Sequence, residues 1–293
     1  MNYTLTNLLC AYRPSIAVLK ISGEKVRDYL QGQITQDITK LSPEHPIYTA
    51  ILTPQGKIVA DCHIVDSGDE LILLTQASHA APLIARLKRF ALGYDIRLGT
   101  VASLAVLSIQ GEHALSLGQD KLPHIAAHMP MPEAHPDGVW FVIPQEDIAK
   151  ALKDLPQTCD EQAMDKACIL YGTPRFGRDW DESVHPLNAN LIEMKGVSFD
   201  KGCYVGQEVT SRMHWRKGIK KKLYHVQIQD EPMDAPSPVF SNTISIGKLT
   251  AVATNENGKH FGIAHLPIET VEKNTPLSLE NQSTLRVIEV CHA

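Results

Sequence analysis

The period of the apolar residues changes several times along the chain, and each change marks an element. Residues 16–21, Ile-Ala-Val-Leu-Lys-Ile, read as a short strand. Ser22 then stands as a helix N-cap, with Val26 and Leu30 on one helix face. Residues 30–37 form a glycine-broken polar segment leaving that helix. From 47 to 74 the pattern is that of a β-meander. Residues 47–52 form one run, and Thr53-Pro54-Gln55-Gly56 fits a tight turn. Ile58, Ala60, Cys62 and Ile64 alternate with Val59, Asp61 and His63, and Ser67-Gly68 turns the chain into 70–75. A helix over about 80–91 places Leu83 and Leu87 on one face, and short strands follow at 94–98 and 104–110.

Residues 117–140, rich in Pro and His, show the weakest signal for regular structure, and 140–143 reads as a strand. Helices are expected at 145–154 and 160–171, the second ended by Gly172 and Pro174. Residues 173–200 are loop-rich, and loops on a rigid scaffold often carry function. From Leu223 onward short β-like runs separated by Asp, Asn, Gly and Pro suggest a small all-β barrel or sandwich.

Composition narrows the class. The chain has 293 residues, 43% hydrophobic and 21% charged, which excludes a disordered or fibrous chain and allows two or three domains. No apolar run approaches the roughly 20 residues that span a bilayer, and the N-terminus lacks the look of a signal or transit peptide. A soluble cytoplasmic protein is expected. The net charge of -5 argues against a general nucleic-acid coat. None of the six cysteines lies in a CxxC pair, so free thiols are expected rather than a zinc or ferredoxin site. His124 and His128 are four apart, but no third ligand accompanies them.

The densest chemistry is Asp200-Lys201-Gly202-Cys203-Tyr204-Val205-Gly206-Gln207-Glu208, followed by Arg212. Glycines on both sides allow a bend that exposes the thiol, and Lys201 and Arg212 are placed to favour the reactive thiolate. Other features have two readings. Asp61 and His63 share a strand face, as an acid–base pair or as ordinary polar positions. Phe176 and Trp180 either wall a ring-shaped ligand or pack internally, and Gln31 and Gln33 either bind a ligand or cap local backbone. The basic run Arg212, Arg216, Lys217, Lys220, Lys221 and Lys222 is a solvated loop, a site for an anionic tail, or a nucleic-acid patch around Trp215.

Lys201-Gly202-Cys203-Tyr204-x-Gly206-Gln207-Glu208-x-x-x-Arg212 resembles the signature of the folate-binding YgfZ-type iron–sulfur cluster assembly and repair factors. These are relatives of the glycine-cleavage T-protein, a tetrahydrofolate-dependent aminomethyltransferase. Tyr29-Leu30-Gln31-Gly32-Gln33-x-Thr35-x-Asp37, Gly56-Lys57-x-x-x-Asp61, Gly172-x-Pro174, Pro186-x-x-x-Asn190, Gly247 and Gly262-x-Ala264 match further blocks in order. The resemblance covers essentially the whole chain. It implies an α+β fold, a three-domain cloverleaf with a C-terminal β-barrel. Residues 1–220 would form the folate-binding region, as two subdomains with the first discontinuous and split by roughly 45–140. Residues 221–293 would form the barrel.

The resemblance further implies tetrahydrofolate or a derivative as cofactor, and iron–sulfur client enzymes and cluster carriers as partners. It disfavours a membrane or nucleic acid as partner. Carried over by position, it makes Cys203 the reactive residue and assigns Gln31, Gln33, Asp61, Asn188, Lys201, Tyr204, Gln207, Glu208 and Arg212 to the cofactor, with no metal ligands. Three positions depart from the pattern. The paired acids of T-proteins read Ala60-Asp61, a carboxylate common among relatives is Asn188, and a common Arg is Cys168. The single acid points away from a competent aminomethyltransferase. The alternative function is a tetrahydrofolate-dependent aminomethyltransferase of the glycine cleavage type.

Overall fold

The structure is a computed structural model, and it describes residues 8–216 and 218–292. The strands of the first part are β1 (Leu9–Tyr12), β2 (Ile16–Ser22), β3 (Ile47–Leu52), β4 (Ile58–Asp66), β5 (Leu71–Gln76), β6 (Arg97–Thr100), β7 (Leu104–Gln110), β8 (Ala127–Pro130) and β9 (Val139–Pro144). Its helices are α1 (Val26–Gln31), α2 (Ala77–Arg89), α3 (Ala114–Lys121), α4 (Ile148–Asp154), α5 (Glu161–Tyr171) and α6 (Gln207–Trp215). One sheet runs β3-β4-β5-β2-β6 and a second runs β1-β7-β9-β8. The chain leaves the second sheet after β1 and returns at β7. Between the two, residues Ile16 to Thr100 build the five-stranded sheet.

Strand alternation explains how the two sheets stack. Leu19, Ile21, Leu71 and Leu73 face α1 and α2, where they pack with Leu30, Leu83 and Leu87. The alternate residues Val18, Ile72 and Leu74 face the second sheet and meet Val106, Trp140 and Val142. The far side of that second sheet is covered by α3 and α4 through Leu107, Ile109, Phe141, Ala114 and Ile148. Both faces of the five-stranded sheet are thus dry, which is why β5 is apolar at successive positions.

The last part contains β10 (Lys221–Ile228), β11 (Ser237–Ser241), β12 (Ile244–Thr254), β13 (His260–Pro267), α7 (Ile268–Glu272), β14 (Leu277–Ser278) and β15 (Thr284–Val290). The strands close as β10-β13-β12-β11-β14-β15 around Val226, Val239, Leu249, Leu266 and Leu285. Asn190 ties this barrel to the rest. Its Nδ2 donates to the carbonyls of Leu223 and Cys291, and its Oδ1 accepts from the Leu223 amide at 2.8 Å. A further apolar cluster, with Leu52, Phe176, Trp180, Leu187, Leu223 and Ile263, fills the junction of sheet, loop and barrel.

Several elements differ from the sequence reading. Ser22 ends β2 instead of capping a helix, and α1 begins at Val26 after Lys25, with no side-chain cap. Helix α2 begins at Ala77, and the strand expected at 94–98 is β6, at Arg97–Thr100. The stretch 117–140 contains the end of α3 and all of β8, which is held by pairing with β9. Helix α5 matches its expectation, with Asp160 accepting from the Ala163 amide and Gly172 left-handed at its C-terminus. Among the described residues, no helix is long and apolar enough to cross a membrane.

Candidate functional site

Two features concentrate chemistry: the turn carrying Cys203, and a cavity between the two sheets and the loop after α5. The turn is built by its neighbours. Lys201 Nζ donates to the carbonyls of Gln31, Ile34 and Gln36 at 2.7, 2.7 and 2.9 Å, and lies 5.0 Å from the centre of the Tyr204 ring. Burial lowers its pKa to about 8 against the pull of Asp37. The Val205 amide donates to the Gly32 carbonyl at 3.2 Å. Tyr204 is buried in the junction cluster, and Cys203 beside it is exposed.

Gly206 starts α6 and explains why glycine stands there. Its φ is +87°, and a Cβ would sit 2.7 Å from the Thr53 carbonyl oxygen and 2.9 Å from Leu52 Cβ. Left-handed strain of roughly 1 kcal/mol for a residue with a Cβ adds to overpacking of about 1–3 kcal/mol. Gly206→Ala is therefore expected to destabilise the fold by about 2–4 kcal/mol, read by urea denaturation. A change below about 0.5 kcal/mol would mean the turn is not pinned on the β3–β4 hairpin. Gly202 has open space around its α-carbon, so of the two glycines only Gly206 is required by the bend.

Cys203 differs from every other cysteine. Cys10, Cys62, Cys168 and Cys291 are buried, Cys159 is partly buried, and all six are free thiols. Burial pushes each of those five thiols upward, away from the reactive thiolate. The charges expected to flank Cys203 are engaged elsewhere. Lys201 is held by three carbonyls, and Arg212 pairs with Glu208 at 2.5 Å on the exposed side of α6. Gln207 opens that helix.

The cavity is lined by Arg13, Tyr48, Asp61, His63, Glu133, Trp140, Asp165, Cys168, Arg175 and Arg178, among others. Asp61 Oδ2 accepts from the Tyr48 hydroxyl at 2.7 Å. Burial pushes the Asp61 carboxyl up to about 6, although the Tyr48 hydrogen bond and the Arg175 charge pull it down. Burial pushes His63 down to about 4, so its imidazole is neutral at pH 7, tilted against Tyr48 and edge-on to Trp140. Arg13 is 1% exposed and pairs with Glu133, Glu161 and Asp165. Arg175 makes a second contact to Asp165 at 2.9 Å.

The raised Asp61 pKa sets a pH dependence. A carboxyl that protonates more readily in the folded state stabilises it fully only at low pH, and that contribution is lost as pH rises through about 6. An asparagine keeps the Tyr48 hydrogen bond and carries no charge. Asp61→Asn is therefore expected to be more stable than the parent by about 1–2 kcal/mol at pH 7.5. The gap should close below about pH 4. Urea titrations across that range check it, and a constant difference would assign the effect to packing.

The remaining assigned residues lie away from the cavity lining. Gln31 donates to Asp37 Oδ1 and accepts from the Ile38 amide, while Gln33 accepts from Arg86. These are local backbone and side-chain braces. Asn188 Oδ1 accepts from the amides of Lys220 and Lys221 at the barrel entrance. Phe176 and Trp180 pack in the junction cluster, which resolves their two readings toward packing. In the basic run, Lys221 donates to the Ile246 carbonyl and Lys222 pairs with Glu193, leaving Arg216 and Lys220 exposed. Lys217 lies outside the described residues. Of the expected cofactor residues, Asp61 alone lines the cavity. Sequence reasoning missed Arg13, Glu133 and Arg178, whose types carried no spacing signal. Among the described residues, no group of three or more His, Cys, Asp or Glu is arranged to hold a metal.

No protein-family model matches the chain. The chain is 26% identical over 297 residues to the tRNA-modifying protein YgfZ of Vibrio vulnificus strain YJ016, covering 95% of this chain and 90% of that protein. The tRNA-modifying protein YgfZ of Hamiltonella defensa is 29% identical over 226 residues, 71% of this chain and 66% of its own. The chain is a relative of the YgfZ proteins. Its fold is that of the glycine cleavage system aminomethyltransferase T from Bartonella henselae, with a TM-score of 0.84 over 99% of this chain and 86% of that one, at 17% identity. A YgfZ-type relation to T-protein therefore accounts for the α+β architecture and the closed six-stranded barrel. Within that YgfZ-type frame the exposed cysteine and the aromatic, acid-bearing cavity are separate features of one molecule.

Proposed function

We propose that this chain is a tetrahydrofolate-binding factor for the assembly, maturation or repair of iron–sulfur proteins, working in the cytoplasm through Cys203. The observation that carries the reading is the contrast among the cysteines: one exposed thiol on a pinned turn, four buried in the interior and one partly buried. A soft, accessible sulfur suits a group that meets iron, sulfide or a partner thiol.

The polar groups of the cavity lining suit a pterin. Arg13 and Arg178 both line it, and the Nη1 atom of each guanidinium is buried without a hydrogen-bond partner. Unpaired buried donors are costly, and the acceptor nitrogens and carbonyl of a pterin would satisfy them. Tyr48, His63 and Trp140 offer ring faces, and Asp61 offers a carboxyl that exchanges its proton near pH 6. When bound, the folate would supply a one-carbon carrier. The chain's own residues orient the ring, exclude water, and hold or release a proton at Asp61 Oδ2.

A second reading, aminomethyl transfer, is favoured by the fold shared with aminomethyltransferase T. Ala60 beside Asp61 counts against it, since one acid of the expected pair is absent. The relatives' name carries tRNA modification, and the two statements join if a client iron–sulfur enzyme acts on tRNA. Calorimetry with tetrahydrofolate, beside a coupled glycine-cleavage assay, tests the proposal. Binding that weakens in Arg13→Met and Asp61→Ala, with no efficient turnover, is expected. Absence of binding, or turnover like that of a T-protein, overturns it.

A further inference from the structure

The end of α2 and the Cys203 turn are joined through shared neighbours. Arg86 Nη1 donates to Gln33 Oε1 at 3.1 Å, and its Nε and Nη2 donate to the Leu52 carbonyl at 3.3 and 3.1 Å. Gly32, next to Gln33, accepts from the Val205 amide, and Gly206 sits directly against Leu52. Only Gly32–Gln33 and Leu52 therefore separate Arg86 from the turn that exposes Cys203.

This region combines cations with exposed apolar side chains. The last turn of α2 carries Arg86, Lys88 and Arg89. Cations at a helix C-terminus suit the macrodipole, which accounts for the charge alone. It does not account for Phe90 at 37% exposure, Leu92 at 96% and Val209 of α6 at 37%. The Arg86 guanidinium lies 3.8 Å from the centre of the Phe90 ring, and Arg89 lies 6.0 Å from it. Arginine beside an aromatic ring is a pairing enriched at protein interfaces, and Leu92 and Val209 add exposed apolar area to it. The whole chain is acidic, at -5, so the local sign selects an acidic partner by complementarity. Nucleic acid fits less well here. One face of the Phe90 ring is covered by Arg86, and the aliphatic Leu92 and Val209 offer no stacking platform.

Building on the reading of Cys203 as the functional thiol, we propose that the α2 terminus and the Cys203 turn together dock an acidic protein partner, presenting its reactive group to Cys203. The test uses two peptides of equal length, one acidic and one basic, each with a cysteine activated as a 2-pyridyl disulfide. The Cys203 thiolate attacks the peptide sulfur, a protein–peptide disulfide forms, and 2-thiopyridone leaves with the electron pair and is read by absorbance. The full chain carries Cys159→Ser to remove the other partly exposed thiol.

The acidic peptide is expected to react about tenfold faster at low salt. The advantage should vanish in Lys88→Glu/Arg89→Glu and at high salt. Neutral dipyridyl disulfide should react with both proteins at the same rate, showing an unchanged thiol. Equal rates for the two peptides overturn the docking face. So does stronger protection of Cys203 by a single-stranded oligoribonucleotide than by an unactivated acidic peptide of the same charge. Either result leaves the role of Cys203 standing, whereas that role fails separately if Cys203→Ser still supports iron–sulfur enzymes in a deletion strain.

Discussion

Arg13→Ala is expected to lower stability by about 3–5 kcal/mol, the range for breaking a buried ion pair from one side. Arg13 lies in the connection between β1 and β2, where the chain passes from one sheet to the other. It is 1% exposed, and its Nη2 reaches Glu133 at 3.4 Å and Asp165 at 3.0 Å, while Nε reaches Glu161 at 3.4 Å. Glu133 is itself buried and accepts from the Trp140 indole at 2.6 Å and the Ser108 hydroxyl at 3.2 Å. Without the guanidinium, that carboxylate is left charged in a dry place. A loss of this size is a large share of the 5–15 kcal/mol that holds an ordinary domain together.

The double variant Arg13→Ala/Glu133→Gln separates charge from packing. A glutamine still accepts from Trp140 and needs no counter-ion, so the double variant should recover a substantial part of the loss. Urea denaturation at pH 7.5 gives both numbers. A loss below about 1 kcal/mol for the single variant, or no recovery in the double, would contradict a buried charge network at the sheet junction.

The barrel and the meander were legible because their strands are bounded by turn residues and alternate toward two different cores. Ala60, Cys62 and Ile64 face the helices, and the neighbouring Val65 faces the second sheet. Helix α6 was not legible. It has one buried residue, Thr210, so it lacks the apolar stripe that announces a helix, and its start depends on the left-handed Gly206. The end of α3 was hidden by a glycine that packing requires: a Cβ on Gly118 would sit 2.1 Å from the Phe141 ring.

The candidate site divided the same way. Cys203 stood out because its motif is continuous in sequence. The cavity did not, because Arg13, Asp61, Glu133 and Arg178 come from separate elements that only the folded chain brings together. Lys201 was read as a charge beside the thiol, and the structure places it on three carbonyls that follow from the end of α1. Its motif position fits a residue that fixes the turn, with the thiol left free above it.

The central claim is that the exposed thiol of Cys203 does the work of this protein. Serine at that position keeps the size and removes the soft sulfur, and at an exposed site the fold should change by less than about 0.5 kcal/mol. The direct measurement is iron–sulfur enzyme activity in a deletion strain complemented with Cys203→Ser, Cys159→Ser or Cys291→Ser, each at matched protein level. The Cys203 variant is expected to leave activity at the level of the deletion, while the other two restore it. Full restoration by Cys203→Ser would contradict the account.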